Sequence, residues 1–121
     1  MLKHVYLALY FVYMTRTALA NYDWTEVTTS STKPSARNGH SSVLYDQQMV
    51  VFGGCCGYKN DVWALNLASH NWTEVTTSAT KPNARDYHSS ILYSGQMVIF
   101  GGWNGGSRKD DVWSLSLFSY D

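Results

Sequence analysis

Few residues in this chain are of types and spacings that could carry chemistry. Arg37 and Arg85 each stand three positions before a histidine, His40 and His88. Two histidines 48 positions apart lack metal-site spacing, although neighbouring repeats could bring them near each other, and no Cys-x-x-Cys or His-x-x-x-His cluster supports zinc. Recurrence at one offset points instead to a structural role, with each arginine tying neighbouring elements together or satisfying backbone carbonyls. Cys55 and Cys56 are adjacent, so their Cα atoms are about 3.8 Å apart, below the common disulfide range. No His with Asn or Asp is arranged around them for nucleophilic catalysis. They read as structural or incidental, against the sharper alternative of a redox-active or weakly metal-binding pair. The run Gly101-Gly102-Trp103-Asn104-Gly105-Gly106-Ser107 lacks the Lys-Ser/Thr and the following helix of a phosphate loop. Its Gly doublet, like Gly53-Gly54, suits a strand end where the chain turns tightly and another backbone comes close. Asn71-Trp72-Thr73 is a glycosylation sequon beside a Trp expected to be buried, relevant only in the secretory pathway. No catalytic residue, metal or cofactor is expected.

The elements that position these residues come from a repeat. Trp24 to Gly54 aligns with Trp72 to Gly102 at a constant offset of 48, with 23 of 31 residues identical. After the Gly pair the register slips by two, so that DVWALNL starts at Asp61 and DVWSLSL at Asp111. A period near 48 to 50 residues indicates a repeat architecture. Within a unit, His40 to Tyr45 and Gln48 to Phe52 read as a hairpin around Asp46-Gln47, with Ser94-Gly95 at the second copy's turn. Asp61 to Leu67 alternates, with Val62, Ala64 and Asn66 on one face and Trp63, Leu65 and Leu67 on the other, the mark of a half-buried strand. Asn71 to Thr76 is a fourth strand, and the segment around Pro34 a connecting loop. The expected class is all-β, in units of four antiparallel strands that cannot bury both faces alone and so stack as propeller blades.

Nine Lys and Arg balance nine Asp and Glu. That neutrality removes the basic surface a nucleic-acid binder needs, and no nucleic-acid partner is expected. The apolar run Val5 to Met14, after Lys3-His4 and before Ala18-Leu19-Ala20, has the outline of a secretory signal. Three Tyr (Tyr6, Tyr10 and Tyr13) and Arg16 count against it, and a buried element or non-native coding sequence is the competing reading. Ten residues are too few for a stable membrane span, which takes about 20. Two free thiols favour a cytoplasmic setting; secretion is the alternative if residues 1–20 are cleaved.

The chain resembles the kelch-repeat β-propeller family, including galactose-oxidase-like proteins. The resemblance rests on Arg-x-x-His (Arg37, His40; Arg85, His88), the doublets Gly53-Gly54 and Gly101-Gly102, the Asp-Val-Trp strands holding Trp63 and Trp113, and the fourth-strand Trp24 and Trp72. It covers Tyr22 to Asp121. Kelch propellers have five to seven blades, and the units here are out of phase: residues 24–29 as an orphan fourth strand, 36–77 as a full blade, 84–120 as a three-stranded one. The expectation is a fragment of a longer protein or, secondly, a homo-oligomer completing a propeller, for example three copies giving six blades. Open ends would be aggregation-prone.

Antiparallel pairing gathers one set of loops on one face: Asn38-Gly39, Asp86-Tyr87, Cys55 to Asn60 and Trp103 to Asp110. These are also where the copies differ, and variable loops are the working face of repeat proteins. Asn38, Asp86 and Asn104 lie there, with Tyr58, Tyr87 and Trp103 as aromatic anchors and Lys59, Arg108 and Lys109 as charged contacts. The bland alternative is ordinary loop surface. The expected function is a non-catalytic module or scaffold with a protein partner. The alternatives are part of a galactose-oxidase-like or specifier-like enzyme, whose copper-ligand positions find no counterpart here, and a truncated repeat product without independent function.

Overall fold

The computed structural model describes residues 21–118. The signal-like run and the cleavage triplet lie outside them. Seven strands are present among the described residues, and no helix: β1 (Ser41–Tyr45), β2 (Gln48–Gly54), β3 (Lys59–Asn66), β4 (Trp72–Val75), β5 (Ser89–Tyr93), β6 (Gln96–Phe100) and β7 (Val112–Ser116). They form two antiparallel meanders, β1-β2-β3-β4 and β5-β6-β7.

The hairpin turns are local in origin. Asp46 and Gln47 take φ of 44° and 58°, and Ser94 and Gly95 take 45° and 69°. Two successive left-handed residues are the two-residue turn whose twist matches that of paired strands. Tyr45 therefore faces Gln48, and Tyr93 faces Gln96. At the other end of β2 the register with β3 shifts between Phe52 and Gly54, a bulge that bends the strand end into the Cys55 loop.

The core lies between the two sheets. Val43, Val50, Phe52 and Val62 on one face of the first sheet pack with Met97 and Ile99 of the second, supported by Val75, Trp113, Leu115 and Leu117. Period-two alternation puts these residues on facing sides. In β3, however, four consecutive residues, Val62 to Leu65, are buried. The half-buried strand expected from alternation is buried on both faces, because its second row, Trp63 and Leu65, is covered as well as its first. Trp72 is half-buried, not buried, and Asn71 beside it is exposed.

Two edges are open. Residues 24–29, expected as an orphan fourth strand, join no ladder, and Trp24 is fully exposed. A strand of fourth-position sequence pairs with a third strand; β3 already carries β4, and the outer edge of β7 is free among the described residues, yet residues 24–29 do not pair with it. The second sheet's outward side shows Ile91, Phe100 and Val112, each more than half exposed. Their counterparts in the first sheet, Val43, Phe52 and Val62, are buried.

Candidate functional site

Each unit is pinned by the same three side chains. Arg37 donates to Gly53 O at 3.0 Å and, in fork fashion, to Asp61 Oδ1 and Oδ2 at 2.7 and 3.0 Å. Arg85 repeats this with Gly101 O at 3.0 Å and Asp111 at 2.6 and 2.9 Å. Trp63 and Trp113 donate their indole N–H groups to the same carboxylates, both at 2.8 Å. A planar guanidinium suits this two-point geometry; a third N–H goes to the glycine carbonyl, and the others to Ser35 in the first unit and Asn83 in the second. Hydrogen bonds from Arg85 and Trp113 hold the Asp111 carboxyl well below its usual range despite some opposing desolvation. For Asp61, burial pushes upward, but the bonds from Arg37 and Trp63 prevail and the net direction is down. Asp61 and Asp111 open the Asp-Val-Trp strands, and their partnership with the arginines was hidden in sequence. The signal was present: both Asp recur with both Arg.

Where the units meet, backbone recognises backbone. Gly54 N donates to Arg85 O at 2.9 Å, Arg85 N to Lys59 O at 3.1 Å, and Tyr87 N to Gly39 O at 2.8 Å. Ser41 Oγ lies 2.8 Å from His88 Nε2, and the His88 ring meets Phe52 edge-on at 5.1 Å between centroids. Close approach explains the glycines. A Cβ on Gly54 would sit 2.8 Å from Asn38 O, and one on Gly53 2.9 Å from Arg85 O. His88 is buried, which lowers its pKa, and the Arg85 charge lowers it further. His40, at the same motif position, is exposed.

The variable loops do come together on this end. Asn38 bridges to Cys55, Asp86 to Trp103, and Trp103 to Arg108. The Tyr58 ring lies against Gly105, joining the two long loops. Tyr87 is 74% and Trp103 37% exposed; Arg108 is exposed and Lys109 half-buried. With Phe100, Gly101, Gly102, His88 and Ser89 they line an open cleft. Asn38 is exposed, while Tyr58 and Lys59 are half-buried. Asn104 spends its side-chain oxygen on the N–H groups of Gly106 and Ser107 at 3.0 and 2.8 Å, holding its own turn. Asp86 departs from the expected surface role. It is 3% exposed, because its backbone pairs with Trp103 in both directions while its Cβ lies under Gly39. Among the described residues no three His, Cys, Asp or Glu side chains cluster as metal ligands, and no helix is long and apolar enough to cross a membrane.

The KLHDC2/KLHL20/DRC7 Kelch-repeats domain model matches residues 8–120, spanning both units and reaching back into the N-terminal apolar run. No curated protein matches the chain.

Proposed function

The chain belongs to the kelch-repeat family, and on that premise we propose that it is a non-catalytic protein-interaction module working through its variable-loop face. One observation carries the reading: the loops that differ between otherwise near-identical units converge, and they present Tyr87 and Trp103 beside Arg108 and Lys109 around one cleft. Exposed aromatics flanked by cations are the composition of a binding hot spot. Cys55, half-buried, and Cys56, exposed, are both unpaired, which fits work in a reducing compartment such as the cytoplasm.

Affinity capture with the full chain tests the reading. The combined variant Tyr87→Ala, Trp103→Ala, Arg108→Ala should lose the proteins that the unaltered chain retains, while Ser69→Ala at the opposite end retains them. An unchanged set of captured proteins would overturn the assignment of the face.

Self-association is a second reading. It is favoured by the second sheet, whose outward face leaves Ile91, Phe100 and Val112 uncovered while the equivalent face of the first sheet is filled.

A further inference from the structure

We propose that the cleft beside Gly101-Gly102 is a docking site for the Arg37–His40 segment of a second copy of this chain. The proposal rests on reading this end as a protein-interaction surface, and it names the occupant. Its template is the junction inside the chain, where the Arg85–His88 segment of the second unit seats on Gly53-Gly54 of the first.

Every group that makes that junction recurs, unoccupied, at the far end. The first unit offers Gly54 N–H, Lys59 C=O and Gly39 C=O to Arg85 C=O, Arg85 N–H and Tyr87 N–H. The equivalents on the second unit are Gly102 N–H, Lys109 C=O and Tyr87 C=O, and among the described residues none of them has a hydrogen-bond partner. Ser89, in the place of Ser41, is exposed, and so is Phe100, in the place of Phe52. Unpaired backbone groups fixed in this pattern are a template for a chain with the complementary pattern.

The complementary pattern is also present, unspent. The backbone N–H and C=O of Arg37 and the N–H of Gly39 make no hydrogen bond among the described residues. His40 is exposed where His88 is 7% exposed. The Arg37 side chain is already locked to Asp61 and Gly53, as Arg85 is to Asp111 and Gly101, so the segment is held in the form that docks. Docking pairs Arg37 C=O with Gly102 N–H, Arg37 N–H with Lys109 C=O, and Gly39 N–H with Tyr87 C=O, and it brings His40 to Ser89 and Phe100.

The contact is heterologous, since segment and cleft are different surfaces, and it propagates unless it closes. Seating the copy this way also lays its Trp63 face on Phe100 and Val112. Val51 and Trp63 are 5% and 8% exposed in the single chain, so that face must open first. Association is therefore slow compared with rigid docking.

Sedimentation of the full chain over a concentration series, after long equilibration, reads the association directly. The unaltered chain should exceed monomer mass as concentration rises. His40→Ala removes the docking histidine and Phe100→Glu blocks the cleft; both side chains are exposed, so the circular dichroism and thermal midpoint of the monomer should stay as they were. Each variant alone should associate at least about tenfold more weakly. Mixed, they should form a 1:1 dimer and nothing larger, because one retains the cleft and the other the segment. If Phe100→Glu fails to fold, Ser89→Asp blocks the same cleft from an exposed position. A chain that stays monomeric throughout, a variant that associates like the original, or a mixture without the dimer would overturn the proposal. If partner capture through Tyr87 and Trp103 persists in that case, the self-docking fails while the interaction module stands.

Discussion

His40 and His88 occupy one motif position and meet opposite fates, because among the described residues only the second unit has a preceding unit to sit on. His88 is enclosed by Phe52 and Ser41, its Nδ1 has no partner, and Arg85, Asp86 and His40 act on its charge. A second ring proton is costly there, which is why burial, and then Arg85, lower its pKa. The unfolded chain, with His near 6.5, therefore binds more protons than the folded chain just below that pH. Stability should fall as pH drops from about 6.5 toward the lowered folded value, by loosening of the unit–unit junction. The depressed carboxylates act later: what Asp61 and Asp111 contribute is held above about pH 4 and lost as pH falls further, through their folded values. Urea midpoints between pH 7 and 5 check the first stage. His88→Gln should lower the midpoint at pH 7 but flatten the decline, whereas His40→Ala should keep it. An undiminished slope in His88→Gln would assign the acid sensitivity elsewhere. Sequence could not separate these two histidines, since the distinction is made by a neighbour 47 residues away.

At the scale of strands and turns, much was legible because the causes are local. Both hairpins, the alternating rows and the Gly doublets follow from turn chemistry and period-two patterning, and the repeat supplied each element twice. What escaped depends on partners. Burial of both faces of β3 and burial of Asp86 are set by what lies alongside, which no window of sequence contains. The doublet at the end of β2 shows how local need and close approach separate. Gly54 and Gly57 both have positive φ, 115° and 96°, but a Cβ at Gly54 would meet Asn38 O at 2.8 Å, while one at Gly57 meets nothing within 4 Å. Gly57→Ala should cost about 1 kcal/mol for backbone strain alone. Gly54→Ala should cost about 3 kcal/mol, because the bulge and the Asn38–Cys55 bridge must also shift. Chemical denaturation of the two variants measures the difference; equal costs would mean that the close approach relaxes freely.

At the scale of the whole molecule, each sheet has an apolar face that the other covers. A three- or four-stranded meander with an uncovered apolar face is marginal, and these two cover one another through a single cluster drawn from both. Met97 is its most enclosed member, 1% exposed, contributed by the second sheet to residues that belong mainly to the first. Met97→Ala removes that side chain from a site that cannot fully collapse between two hydrogen-bonded sheets, and should cost about 3 kcal/mol. The informative readout is where protection is lost. If the junction of Gly54 with Arg85 and the shared cluster make one cooperative body, amide exchange should accelerate in β1, β2 and β3 along with β6, and a single unfolding transition should move as a whole. Acceleration confined to β5, β6 and β7 would show instead that the first unit stands alone. In that event the unit–unit contact would be a docking between independent folded units, of the same kind and strength as the contact proposed between copies.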